Sequence, residues 1–321
     1  MIAPADLDRF RADLARLGAT GRLAIAVSGG ADSMAMLTLA HAVLPGQIVA
    51  ATVDHRLRAA AAEEAATVAA YCAALAIPHT ILTPEAPIAG ASIQAQAREA
   101  RYALLARWAR DAGALALLTA HHADDQAETF LMRAARGSGA AGLTGVRARA
   151  TIAGFPVLRP LLGWRRDDLR RIATDAGVPF VDDPSNADAR HDRTRFRALL
   201  AETPALDPVA LAQSAAALAE AEAALAFATR QLWAARVRAE PALTLDVSDL
   251  PRELRRRLAR RAIGETRARY AITVPEWSDA ANIEPLLDSL AAGTSATQAG
   301  VMLIPHGEIW TVTKAPPRRS A

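Results

Sequence analysis

Five apolar residues, Leu23 to Val27, run into Ser28-Gly29-Gly30-Ala31-Asp32-Ser33 and then into the apolar-periodic Met34-Ala35-Met36-Leu37. That order predicts a short buried strand, a tight turn and a helix. The pattern recurs: 47–53, 79–83 and 115–119 predict strands, while 61–76, 92–112 and 123–136 predict helices. A further helix over 6–17 precedes the first strand. Strands alternating with helices predict an α/β fold with a doubly wound parallel sheet, whose ligands sit at the C-terminal ends of the strands.

After residue 136 the alternation breaks. A glycine-rich loop (137–145), a short extended piece (158–162), a helix (166–176) ended by Gly177 and Pro179, a turn cluster (182–186) and a helix over 193–200 follow. The stretch 202–208, with Pro204 and Pro208, reads as a linker between a first domain, 1–203, and a smaller second one, 204–321. Helices over 209–238, 251–263 and 276–290 make the second domain mainly helical, with two or three short strands within 293–314.

Composition changes this picture little. The 321 residues are 52% hydrophobic and 22% charged, as in globular chains of one or two domains. Formal charge is +3, and of the 37 basic residues only Lys314 is a lysine. A GC-rich genome accounts for an arginine bias, yet guanidinium groups also suit phosphate and base edges, so a nucleic-acid partner is permitted. Cys72 is the single cysteine, which excludes an intramolecular disulfide, a thiolate zinc site and a C-x-x-C pair. The N-terminal stretch is acidic and lacks a signal-peptide layout, and no uninterrupted apolar run reaches the ~20 residues needed to cross a bilayer. No membrane association and a cytoplasmic location are expected.

The candidate chemistry lies at the predicted strand ends. A glycine turn feeding a helix start offers unpaired N–H groups to a phosphate, with Ser28 and Ser33 as further donors and Asp32 as a carboxylate for Mg²⁺. No Gly-Lys-Ser/Thr follows, so the turn is not a Walker A loop. Ala120-His121-His122-Ala123-Asp124-Asp125-Gln126-Ala127-Glu128-Thr129 also enters a helix from a strand. Helix capping explains its acidic start, and a carboxylate there can hold Mg²⁺ as well. Arg98 and Arg101 share a helix face and suit a phosphate or a substrate carboxylate, although solvated surface arginines would look the same. Arg136 beside Gly137-Ser138-Gly139 suits a nucleotide or RNA, and so would any flexible loop. Arg252, Arg255, Arg256, Arg257, Arg260 and Arg261 crowd one segment, a density that suits a phosphate backbone or a solvated helix face.

The loop Ser28–Ser33 resembles the PP-loop of the ATP pyrophosphatases. Taken with Asp54-His55-Arg56-Leu57-Arg58, Ala97-Arg98-Glu99-Ala100-Arg101-Tyr102, the His121–Thr129 motif, Arg136–Gly139, Arg159-Pro160-Leu161-Leu162 and Asp183-Pro184-Ser185-Asn186, it resembles the tRNA(Ile)-lysidine synthetase family. The resemblance covers roughly residues 20 to 200, and the rest more loosely. It implies a ligase that uses ATP and Mg²⁺ to join free L-lysine to carbon-2 of the wobble cytidine in tRNA(Ile) with a CAU anticodon. The product is lysidine, which converts codon and amino-acid specificity from Met to Ile.

Carried onto this sequence, Ser28, Gly29, Gly30, Ala31, Asp32, Ser33, Asp54 and His55 would bind the nucleotide. Asp32 and Asp125 would hold the metal. Asp32, Asp125, His122 and Arg98 would be catalytic, with His122 and Asp125 alternatives for activating the lysine amine. Arg101, Arg136, Gly137, Ser138, Gly139, Arg193 and Arg197 would meet the substrate or tRNA. Thr194 stands where the family usually has Asn, which puts that hydrogen bond in doubt. The chain would be a short form lacking a further C-terminal domain, and a homodimer is compatible with it. PP-loop tRNA thiolases carry sulfur on cysteines and amidotransferases need a glutaminase domain, so one cysteine and no spare region argue against both. A nucleotide-sensing or RNA-binding module would tolerate loss of the Asp124-Asp125 cluster, which is present.

Overall fold

Alternation along the first strand builds two cores. In a computed structural model that describes residues 1–55, 60–84, 93–181, 192–240, 242–278 and 280–316, α1 (Pro4–Arg16) leads into β1 (Leu23–Ala26). Leu23 and Ile25 pack on one face of the sheet with Phe10, Leu14 and Trp164, while Ala24 packs on the other with Tyr102, Leu105 and Leu117. The elements then alternate as expected: α2 (Ala31–Val43), β2 (Ile48–Val53), α3 (Ala60–Ala74), β3 (His79–Leu82), α4 (Ile93–Asp111), β4 (Ala116–Leu118) and α5 (Ala123–Ala134).

Next come the one-turn α6 (Ala140–Leu143), β5 (Arg149–Ile152), β6 (Phe155–Leu158), α7 (Arg166–Asp175) and α8 (Asp192–Glu202). The sheet order is β3-β2-β1-β4-β6-β5, parallel except for the edge strand β5. Successive strands step outward from β1 in opposite directions, to β2 and β3 on one side and to β4 on the other. The crevice between the C-terminal ends of β1 and β4 is therefore the switch point at which such sheets bind ligands.

Of the 158–162 piece, expected to be extended, only Leu158 is strand, the last residue of a hairpin, and 160–162 form a turn. Ile152 pairs with Phe155 across Ala153 (φ 49°) and Gly154 (φ 68°). Two positive φ values in a two-residue loop are those of a type I′ turn, which twists with its strands. The 182–186 turn cluster and the Arg56–Arg58 stretch lie outside the described residues.

The remaining elements are α9 (Pro208–Arg236), β7 (Val237–Arg238), β8 (Leu243–Asp246), α10 (Arg252–Arg269), α11 (Glu284–Ala291), β9 (Ala296–Gln298), β10 (Val301–His306) and β11 (Ile309–Lys314). The chain divides into two compact units, Met1–Ala219 and Glu220–Ala321, and the division falls inside α9. The second unit holds more strand than its sequence suggests, an antiparallel sheet in the order β7-β8-β11-β10-β9. Leu245, Leu258, Ile263, Leu287, Leu303 and Trp310 form its core. The helix expected over 276–290 begins only at Glu284, with Pro285 in its first turn, where a missing N–H costs nothing.

One window of α9 reaches a mean hydropathy of 1.2 over a length that could span a bilayer. Its apolarity is largely alanine, however, and Glu222 within it forms a two-pronged ion pair with Arg257, both contacts at 2.7 Å. The helix is thus tied by charge into the second unit's own fold.

Candidate active site

The turn after β1 is shaped by its own hydroxyls. Gly29 takes φ 85°, a conformation that a side chain would strain, and Gly30 caps α2. Ser33 Oγ accepts the Ser28 N–H at 3.1 Å, lies 3.1 Å from Ser28 Oγ, and donates to the Gly30 carbonyl at 3.0 Å. Ser33 is buried, and its hydroxyl stitches the loop together. The first-turn N–H groups of α2 have no partner within the helix and stand at the positive end of its dipole. The Val181 N–H reaches the Gly29 carbonyl at 3.0 Å, bringing the chain after α7 against the same turn.

Across the crevice, β4 ends in Thr119-Ala120-His121-His122 and α5 begins. His122 is the N-cap of α5, with its backbone N–H donating to Asp125 Oδ2 at 3.1 Å. Its ring is 1% exposed and surrounded by three carboxylates. Nε2 is 3.4 Å from Asp32 and 3.6 Å from Asp125, and Nδ1 is 3.6 Å from Asp124. Burial opposes the charged ring, but hydrogen bonds to Asp124 and Asp32 and the charge of Asp125 prevail, raising its pKa to about 10. The carboxylates around the ring thus favour its charged form, while Nδ1 also stands as acceptor to the Asp125 N–H at 3.4 Å.

Asp125 and Glu128 face α8. Arg193 donates to Asp125 Oδ1 and Glu128 Oε2, both at 2.5 Å, and Arg197 donates to Glu128 Oε1 at 2.8 Å. Glu128 is wholly buried, and two guanidinium groups meet it there, the pairing a buried acidic side chain needs. Arg193 and Arg197, expected to meet the substrate or tRNA, both join this network, and Arg193 also lines the cavity between the strand ends.

The two strand ends enclose a cavity of about 560 Å³ lined by Ser28, Gly30, Asp32, Ser33, His55, Arg98, Arg101, His121, Asp125 and Arg193 among others. Arg98 and Arg101 flank the Tyr102 ring, 5.1 and 5.4 Å from its centroid, and neither has a carboxylate partner among the described residues. Burial lowers the His55 pKa, and Arg101 lowers it further. His121, not foreseen as a site residue, lines the cavity with Nδ1 3.1 Å from Thr119 Oγ1. Burial, then the charges of Arg159, Arg98 and Arg101, outweigh the opposing pull of Asp125 and lower its pKa to about 3. The two adjacent histidines therefore carry opposite protonation states.

Other expected site residues lie apart. Asp54 is half-buried and Gly29 and Ala31 belong to the turn, but none of these three lines the cavity. Arg136 is exposed and pairs with Asp192, and Gly137, Ser138 and Gly139 continue outside the cavity. The α10 arginines turn to their own unit. Arg252 and Arg256 meet Glu284, Arg255 meets Glu308, Arg257 meets Glu222, Arg260 donates to the Ala281 carbonyl, and Arg261 meets Glu265. That helix is stapled to its neighbours through these pairs.

The cavity suits Mg²⁺. Asp32 Oδ1 is buried with no hydrogen-bond partner, and Asp125 lines the same cavity. Mg²⁺ needs only one or two carboxylates beside the phosphates it accompanies. Among the described residues no cluster of three or more metal-binding side chains occurs, and such an ion requires none.

A phosphate-binding turn and an acidic helix start facing each other across the switch point of a doubly wound sheet define a PP-loop nucleotide-binding protein, and residues 6–203 match the PP-loop domain family. Two relatives extend the match to nearly the whole chain. The tRNA(Ile)-lysidine synthase of Zymomonas mobilis subsp. mobilis is 43% identical over 307 residues, covering 94% of this chain and 91% of its own. That of Novosphingobium aromaticivorans is 45% identical over 316 residues, covering 97% and 94%. The chain belongs to the tRNA(Ile)-lysidine synthase family. The solved U34-tRNA thiolase NcsA from Methanococcus maripaludis superposes with a TM-score of 0.57 at 16% identity, covering 67% of this chain and 77% of that one; this likeness concerns the fold.

Proposed function

We propose that this cavity carries out lysidine formation on the wobble cytidine of tRNA(Ile) with a CAU anticodon. The carrying observation is that Ser28, Gly30, Asp32 and Ser33 of the PP-loop and His121 and Asp125 of the motif after β4 line one cavity at the switch point. In the first step the cytidine carbon-2 oxygen attacks the α-phosphorus of ATP. A phosphorus–oxygen bond forms, the bond to the β-phosphate bridge breaks, and pyrophosphate leaves. In the second step the neutral ε-amine of L-lysine attacks carbon-2, the carbon–oxygen bond breaks, AMP departs with that oxygen, and the nitrogen loses a proton.

The helix start at Gly30 to Ser33 holds the phosphates, with Ser28 at their side. Bound Mg²⁺, held by Asp32 and Asp125, supplies charge neutralisation for the departing pyrophosphate. Arg98 and Arg101 bring positive charge to the transferring phosphoryl group or to the lysine carboxylate. Asp125 binds the lysine amine and receives its proton. His122 stands between the side chains of Asp32 and Asp125 and positions them.

The PP-loop domain, 1–203, is the catalytic one in this reading, 204–321 serves tRNA binding, and the enzyme acts in the cytoplasm. A thiolase reading is disfavoured by Cys72, which is buried with its thiol pushed up to about 11, away from the thiolate that sulfur transfer needs. The decisive experiment supplies purified protein with ATP, Mg²⁺, labelled lysine and the CAU-anticodon tRNA. Pyrophosphate release with tRNA-dependent lysine incorporation is expected; no incorporation under any salt or metal condition refutes the proposal. Light scattering of the same preparation separates a monomer from the homodimer compatible with the sequence.

A further inference from the structure

Between Thr129 and Arg166 the chain has seven arginines and no acidic residue. Arg147 and Arg149 stand at the outer edge of the first sheet, where β5 begins, and both are exposed. Neither guanidinium has an ion-pair or hydrogen-bond partner among the described residues, in contrast to the paired arginines of α10.

Their position relative to the cavity follows from hydrogen bonds. The Arg159 N–H donates to the Ala148 carbonyl at 2.9 Å, and Arg159 Nη1 donates to the Arg147 carbonyl at 2.6 Å. One strand inward, the Thr119 N–H donates to the Leu158 carbonyl at 3.1 Å, and Thr119 lines the cavity. Arg159 is 3% exposed, and among the described residues it has no carboxylate partner and its Nε no hydrogen-bond partner. A buried cation so placed adds its field to the edge it supports. Arg98 and Arg101 continue the positive charge along the cavity wall.

We infer that Arg147 and Arg149 form a phosphate-binding edge on which the RNA backbone flanking the reacting base is laid. This rests on the tRNA reading above and adds the side from which the RNA enters, past β6 and β5. The edge contributes affinity and register but no base recognition, as backbone contacts do.

The test uses the full-length protein and an unmodified tRNA(Ile) transcript, with the dissociation constant measured across a salt series. Arg147→Gln/Arg149→Gln should weaken binding on the order of tenfold and reduce the salt slope by about one to two, as loss of one or two phosphate contacts does. Arg147→Lys/Arg149→Lys should keep the slope, and thermal melts should coincide because neither side chain has a partner to lose among the described residues. At saturating tRNA the KM for ATP and the rate of pyrophosphate release should match wild type. Wild-type affinity and slope in the Gln variant, with wild type itself binding and modifying the tRNA, overturn the inference and leave the function intact. A wild-type protein that neither binds tRNA nor incorporates lysine overturns both.

Discussion

Nε2 of His122 lies 3.4 Å from a carboxylate oxygen of Asp32, joining the helix that follows β4 to the loop that follows β1. The contact holds the two halves of the cavity in register. Because the ring is buried and charged, it also ties the site to pH.

With its folded pKa raised from 6.5 to about 10, His122 contributes stability that is full below about pH 6.5 and is lost as pH rises through about 10. Asp124, lowered from 3.8 to about 2, contributes stability that is present above 3.8 and lost as pH falls through about 2. Denaturant unfolding of wild type should therefore weaken between pH 7 and 10, and His122→Asn should flatten that limb. An unchanged alkaline limb in the variant would show that the ring is neutral.

Removing the carboxylate of Glu128 deletes the buried acid that Arg193 and Arg197 share, while Arg193 keeps Asp125. Glu128→Ala should cost about 3–5 kcal/mol, the usual penalty for breaking a buried pair. Urea unfolding gives the figure directly, and faster proteolysis within α8 (Asp192–Glu202) should accompany it.

Asp32→Asn and Ser28→Ala bear on the first chemical step. Each should lower pyrophosphate release by at least about a hundredfold, the scale of losing one group that stabilises transition-state charge. Binding of tRNA should stay within about twofold. If tRNA affinity collapses in either variant, these residues lie on the RNA path and the phosphate assignment is wrong.

For α10 the expectation is a separation of stability from binding. Arg257→Ala breaks the pair with Glu222, whose side chain is only 11% exposed, and should destabilise the protein by about 2 kcal/mol. The salt slope of tRNA binding should be unaffected. A fall in slope without a fall in melting temperature would return this helix to the RNA interface.

Local chemistry explains how much could be read from the sequence. The five-residue apolar run and the paired glycines required β1, the turn and α2, and positive φ at Gly29 bears out why glycine is there. The β5–β6 hairpin was missed because its turn is Ala153-Gly154 rather than an Asn-Gly signal, and its edge strand alternates only weakly. The late start of α11 follows Pro285, which helix-forming residues upstream had masked. The pairing of Arg193 and Arg197 with Glu128 spans 65 and 69 positions, so no short-range pattern could announce it. His121 and His122 are equivalent as letters. Only the turn from strand into helix decides which ring faces the cavity and which is sealed beneath it. The α10 arginines suggested RNA because their acidic partners, apart from Glu253 and Glu265, come from distant elements.

Gln126 of α5 spends its whole carboxamide on one residue of the loop before β5, donating to the Val146 carbonyl at 2.8 Å and accepting the Val146 N–H at 2.6 Å. A side chain here supplies the rung that a neighbouring strand would give. Gly145 must stay bare beside it, since a Cβ there would come within 2.6 Å of the Gln126 oxygen. The start of the Arg147 edge is thereby fastened to α5, so the placement of its backbone is set by the same helix that carries Asp125.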